Sequence, residues 1–145
     1  PEALSKLVRV SCNAPGQSEQ LKLRLTSLTS LAGAWQAKFV GDDTSLGYAA
    51  EDVSPEGFQS RIVPYTLEDV GYTWLRREVV IPEGWAGKPL MLHMVQVDDN
   101  DATFFNGQKI GETGGWDTPR NYVIPSRLIR YGEPNLVAVR VHNTA

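Results

Sequence analysis

Hydrophobic residues recur at every second position rather than with helical spacing. Leu21, Leu23 and Leu25 alternate with Lys22, Arg24 and Thr26. One face is then apolar and the other wet, which predicts a half-buried strand. Val137, Val139 and Val141 repeat the pattern, with Arg140 and His142 opposite. Residues 35–40 and 73–81 are further strand candidates. Residues 90–97 are apolar on both faces, as a central strand requires.

Turn residues separate these runs. Asn106-Gly107 lies between two strand-like segments. A type I′ turn needs positive φ at both central residues, and Asn and Gly adopt it at little cost. Residues 82–87 and 131–135 are two more Pro- and Gly-bearing connections. A single short helical stretch is expected at residues 126–130, after Pro125. Residues 41–59, long and polar, read as a surface loop. Many short strands with regular turns and almost no helix predict an all-β protein, an antiparallel β-sandwich or jelly roll.

The chain of 145 residues is one domain's worth of sequence. Residues 31–145 form its core, and residues 1–30 supply outer strands or belong to the end of a neighbouring domain. The chain opens on Pro1, which reads as part of a longer polypeptide. Basic residues number 14 and acidic ones 17, a net charge of −3. No strong positive field is available to hold phosphates, which argues against nucleic acid as a partner. No apolar run approaches the roughly 20 residues of a membrane span. The single cysteine, Cys12, rules out an internal disulfide and reads as a small buried hydrophobe.

Reactive chemistry is thin. There is no Gly-x-Ser-x-Gly elbow. Gly41-Asp42-Asp43-Thr44-Ser45-Leu46 holds the ingredients of an esterase block, interrupted by two residues. Neither His93 nor His142 has a second His or Cys at ligand spacing. His93 reads as a satisfied core residue and His142 as solvent-facing. These features argue against a small esterase or glycosidase, and the fragment is expected to be non-catalytic.

Three constellations remain. Asp98, Asp99 and Asp101 are hard oxygen ligands suited to Ca²⁺, although their spacing is not that of an EF-hand loop. The alternatives there are a polar turn and hydrogen bonds to sugar hydroxyls. Arg77 shares a face with Leu75, Val79 and Ile81 by strict alternation. It calls for a bulge that turns it outward, or for an acidic partner such as Asp98 or Asp99. The third is the Gly-rich loop carrying Trp116, Asp117, Arg120 and Tyr122. An aromatic ring can stack on the C–H face of a sugar while polar groups take its hydroxyls. Trp35, Trp74 and Trp85 read as structural.

Trp74-Leu75-Arg76-Arg77-Glu78-Val79-Val80-Ile81-Pro82 and Trp85-Ala86-Gly87-Lys88 resemble the sugar-binding-type sandwich of family-two glycoside hydrolases. Residues 92–97 with Asp98-Asp99, then Phe104-Phe105-Asn106-Gly107-Gln108-Lys109-Ile110-Gly111, continue the likeness. Asn135-Leu136-Val137-Ala138-Val139-Arg140-Val141 completes it. The pattern is also similar to the accessory sandwich of sialate O-acetylesterases. The resemblance implies a galactose-binding-domain-like jelly roll and a secreted or periplasmic setting. It further implies a parent glycoside hydrolase or carbohydrate esterase, in which this domain binds glycan or packs against a catalytic domain of the same polypeptide. Ligand-binding residues would be Trp116, Asp117, Arg120, Tyr122, Arg77, Asp98 and Asp99. A purely structural domain is the alternative.

Overall fold

The computed structural model describes residues 8–12, 27–94, 97 and 99–144, with the side chains of 8–12 and 27–29 left aside. The alternating leucines at 21, 23 and 25, the burial of Cys12, and Asp98 lie outside the described residues. The strands are β1 (Val8–Cys12), β2 (Ser27–Ser30), β3 (Gly33–Gly41), β4 (Gln59–Val63) and β5 (Gly71–Val80). They continue as β6 (Leu90–Met94), β7 (Asn100–Phe105), β8 (Gln108–Gly114), β9 (Arg120–Ile124) and β10 (Pro134–Asn143). Helical structure among the described residues is limited to single 3₁₀ turns at Gly47–Ala49, Glu83–Trp85 and Ser126–Leu128.

The strands form a four-stranded sheet, β2-β1-β6-β9, and a six-stranded sheet, β4-β3-β5-β10-β7-β8. Every pairing between them is antiparallel. The expected all-β sandwich is therefore the observed fold. The Asn106-Gly107 hairpin closes as expected, with φ of 48° and 85° and Phe105 opposite Gln108.

The main core lies between the sheets. Trp35, Val79, Val137, Val139 and Val141 from the larger sheet meet Leu90, Leu92, Met94 and Ile124 from the smaller one. Each such side chain contributes roughly 1.5–3 kcal/mol through loss of apolar surface from water. The alternating valines of β10 are the inward face of this strand.

A second cluster lies on the other side of the larger sheet. Trp74, Ala102, Phe104 and Ala138 are buried there together with Ala49, and Tyr48 and Phe58 pack on them. The segment between β3 and β4 thus covers the outer face of the sheet, a correction to its reading as a surface loop. Its aromatic and alanine positions are too sparse to show a period. Two cations of the sheet and one from the connection before β10 fasten it. Arg76 donates to the Tyr48 carbonyl, Arg140 donates to the Thr44 carbonyl at 3.3 Å, and Arg130 pairs with Glu51. Burial lowers the pKa of Arg76, with the Asp52 charge opposing.

Asn135 and Asn106 fix the entry to β10. The Asn135 amide donates to the carbonyls of Val79, Arg130 and Glu133, and its oxygen accepts from the Asn106 amide at 2.9 Å and from the Arg130 backbone N–H at 2.9 Å. The Asn106 oxygen accepts the Leu136 N–H at 2.7 Å. A buried asparagine with both ends satisfied holds irregular backbone as secondary structure would.

Candidate functional site

β9 begins at Arg120, and alternation sends Arg120, Tyr122 and Ile124 inward while Asn121 and Val123 face out. Arg120 is fully buried, as is the carboxylate of Asp101 on β7. Arg120 Nε donates to Asp101 Oδ1 at 2.6 Å. Its remaining guanidinium donors reach the carbonyls of Gly115 at 2.6 Å, Thr118 at 2.5 Å, Asp99 at 3.1 Å and Thr113 at 3.1 Å. A guanidinium has five N–H groups, so its donor set is fully used within the fold.

The Asp101 carboxylate is equally engaged. Tyr122 Oη donates to it across 2.8–3.0 Å, and Thr103 Oγ1 donates to Oδ2 at 2.7 Å. Thr113 Oγ1 lies 2.8 Å from Tyr122 Oη. Burial pushes the pKa of the Tyr122 phenol well up. The Thr113 hydrogen bond opposes that rise, and Asp101 adds to it. Gly111 on β8 allows the approach, because an added Cβ there would overlap the Tyr122 ring. Breaking a buried ion pair by removing one partner costs about 3–5 kcal/mol. This cluster therefore holds the 113–118 turn rigidly against the ends of β7 and β9.

Several expected site residues change role. Arg120 and Tyr122 are buried parts of this cluster, without a donor or face turned to a ligand. Period-two alternation within 120–124 carried that signal. Asp101 is likewise enclosed by Arg120, Tyr122 and Thr103, and so is not open to a cation from solvent. Asp99 turns its carboxylate to Thr144, accepting the backbone N–H at 2.8 Å and the hydroxyl at 2.6 Å. Among the described residues no group of three or more His, Cys, Asp or Glu is placed to hold a metal ion.

Trp116 and Asp117 stay at the surface, and Trp116 is 59% exposed. They form the tip of the turn closed by Thr118 N–H donating to the Gly115 carbonyl at 3.3 Å, with Gly115 at φ 100°. Of the loop's four expected ligand residues, the structure exposes two and buries two.

Arg77 faces inward as alternation requires, but carbonyl oxygens receive it. Its guanidinium donates to Leu31 O at 2.6 Å and Ala32 O at 2.9 Å. Leu31 O also accepts the Trp35 indole N–H at 2.7 Å. Register explains why Asp99 is not the partner. Arg77 pairs with Val137, whereas the Asp99 N–H bonds His142, five positions farther along β10. At roughly 3.3 Å per residue that is more than 15 Å.

The histidines also depart from expectation. His93 is half-buried on the outer side of β6, with Nδ1 2.7 Å from Asn121 Oδ1. His142 is partly covered and stacks on Tyr72 with centroids 4.2 Å apart. Trp35 and Trp74 are core residues, and Trp85 packs partly buried against the main core.

A second polar region escaped the motif reading. Between the end of β3, the start of β4 and the 65–69 segment a groove of about 530 Å³ opens, with Phe39, Gln59, Arg61 and Tyr65 among its walls.

These features define an antiparallel sandwich with one rigid, aromatic-tipped turn. No family model matches the chain. Solved β-glucuronidases share the fold. Against the Ruminococcus gnavus enzyme in complex with D-glucuronic acid, the TM-score is 0.69 at 22% identity, covering 79% of this chain and 21% of that one. The same enzyme in complex with a C6-substituted uronic isofagomine gives 0.70 at 24%, with 79% and 21% covered. The Faecalibacterium prausnitzii β-glucuronidase gives 0.70 at 23%, with 79% and 20% covered. The matched region is thus about one fifth of each solved chain. The resemblance to the sandwich of family-two glycoside hydrolases seen in the sequence extends to the three-dimensional fold.

Proposed function

We propose that this chain serves as a non-catalytic accessory domain of a glycoside hydrolase of the β-glucuronidase kind, lending the Trp116–Asp117 tip to a sugar-handling surface. The observation that carries this reading is the buried Arg120, which ties four carbonyls of the surrounding backbone and leaves the tip projecting. Fixing a loop before it meets a ligand lowers the ordering entropy that binding must overcome. An exposed indole beside a carboxylate offers an apolar face and a hydroxyl acceptor together. The shared fold of the glucuronidases supports the choice of parent. A shallow two-residue contact implies weak binding by the chain alone.

The test is a titration of ¹⁵N-labelled chain with D-glucuronic acid, following the tryptophan indole N–H signals. Movement confined to the Trp116 signal, with no turnover of p-nitrophenyl β-D-glucuronide, is the expected result. Release of nitrophenol would contradict the non-catalytic role, and a static Trp116 signal would contradict sugar contact at the tip.

A further inference from the structure

The six-stranded sheet is wider than the four-stranded sheet packed on it. Among the described residues, its inward face loses cover along β3 and at the start of β4, whereas Val63 at the end of β4 is buried in the main core. Along β3 the inward residues are Trp35, 3% exposed, Ala37, 7%, and then Phe39, 46%. The core gives way to an open aromatic ring. Phe39 precedes a register shift in the pairing with β5, and its ring edge sits where a Cβ on Gly71 would come within 3.1 Å. Gly71, at φ 132°, leaves room for that ring.

β4 is inverted relative to a core strand. Arg61 pairs with inward Trp35 and Gln59 with inward Ala37, while Ile62 points outward at 65% exposure. Inward charge on an edge strand deters unwanted strand pairing. That role needs only one such residue, yet the groove gathers more. Its far wall is the 65–69 segment, carrying Tyr65, Glu68 and Asp69. Asn143, itself buried, donates to the carbonyls of Leu67 at 3.4 Å and Asp69 at 3.0 Å and so anchors this wall. Burial raises the Tyr65 pKa, with Arg61 opposing, which keeps the phenol a neutral donor.

We propose that this groove is a binding site for a short neutral oligosaccharide, with Phe39 as the stacking platform and Gln59, Arg61, Tyr65, Glu68 and Asp69 as hydroxyl partners. The volume, about 530 Å³, lies within the usual range for small-ligand sites. Arg61 and two carboxylates, Glu68 and Asp69, line it, while the Lys38 ammonium is held over the Tyr48 and Phe58 rings of the outer-face cover. Among the described lining residues, one guanidinium against two carboxylates disfavours an anionic ligand and leaves hydroxyl groups as the natural partners. An aromatic face beside planar polar groups suits a ring with an apolar C–H face and an equatorial set of hydroxyls. The site is separate from the Trp116 tip and does not depend on the accessory-domain reading.

Maltotriose, cellotriose and xylotriose are the probes, added singly to the ¹⁵N-labelled full chain. At least one is expected to shift the backbone amides of 59–61 and 65–69 while leaving the Trp116 indole signal in place. Phe39→Ala should weaken that binding about tenfold or more, a loss of about 1.4 kcal/mol. Gln59→Ala, an exposed edge-strand change that leaves the core untouched, should weaken it in the same direction. Trp116→Ala should leave it unchanged. Silence of the groove amides with all three trisaccharides would overturn the proposal. So would binding indifferent to both Phe39→Ala and Gln59→Ala, or shifts centred on the Trp116 turn.

Discussion

At the β7–β9 margin, Arg120, Asp101, Tyr122, Thr103 and Thr113 bond one another out of reach of water. At the β3–β4 margin, Gln59, Arg61, Tyr65, Glu68 and Asp69 line a groove open to it. Both margins carry an arginine on the inner side of a strand, and both carry acids and a tyrosine. The difference is cover. β9 of the smaller sheet and β8 of the larger one approach each other across Gly111 and Tyr122 and close the first margin. At the second, no described strand of the smaller sheet covers Phe39, which is 46% exposed. Polar residue types alone therefore do not mark a ligand site. The layer above them decides whether their hydrogen bonds are internal or available.

That contrast is most sharply broken by removing one member of the closed cluster. Arg120→Ala removes the cation from the buried Asp101 carboxylate and the guanidinium bonds from four carbonyls, with an expected loss of about 3–5 kcal/mol in urea unfolding. Replacing both partners with apolar residues, Asp101→Leu with Arg120→Met, should recover part of that loss. The freed carbonyls keep the recovery incomplete. Gly111→Ala forces a methyl into the Tyr122 ring and should cost about 1–3 kcal/mol by thermal denaturation.

Tyr122→Phe removes the phenol hydroxyl from Asp101 and Thr113, worth about 1 kcal/mol near neutral pH. It also carries a pH signature. The folded state holds the Tyr122 proton above the unfolded pKa of 10.0. Stability from this group is thus complete below that value, and it falls as pH rises further because only the unfolded chain releases the proton. The wild type should lose stability above about pH 10 more steeply than Tyr122→Phe. At the open margin, Arg61→Ala should change stability by no more than about 0.5 kcal/mol. A large loss there would mean that the groove arginine is structural like Arg120.

Much of the sandwich was legible because Val137, Val139 and Val141 alternate with Arg140 and His142 along β10, residues 90–94 are apolar enough for a central strand, and Asn106-Gly107 fixes its own turn. β4 was not, because Gln59, Ser60, Arg61 and Ile62 invert the usual inside and outside. The aromatic cover over Trp74 was hidden within a polar-looking connection, where Tyr48 and Phe58 stand ten positions apart without a period. At the candidate site, Trp116 and Asp117 were grouped with Arg120 and Tyr122 as one ligand-binding loop, and the structure exposes only the first two. Arg120 and Tyr122 were assigned to a ligand because their loop neighbours were weighed more than their strand alternation. Arg77 was expected either to be turned outward by a bulge or to meet an acid, and neither is found; its carbonyl partners depend on where residues 31–32 cross the sheet, which no local pattern encodes.

The most direct test is hydrogen exchange at the Arg120 guanidinium Nε–H, read by ¹⁵N NMR with and without D-glucuronic acid. Exchange as slow as that of the core strand amides, unchanged by the sugar, is expected of a fully bonded internal hub. Rapid exchange at that proton, or a shift when the sugar is added, would show an arginine open to ligand and contradict the account.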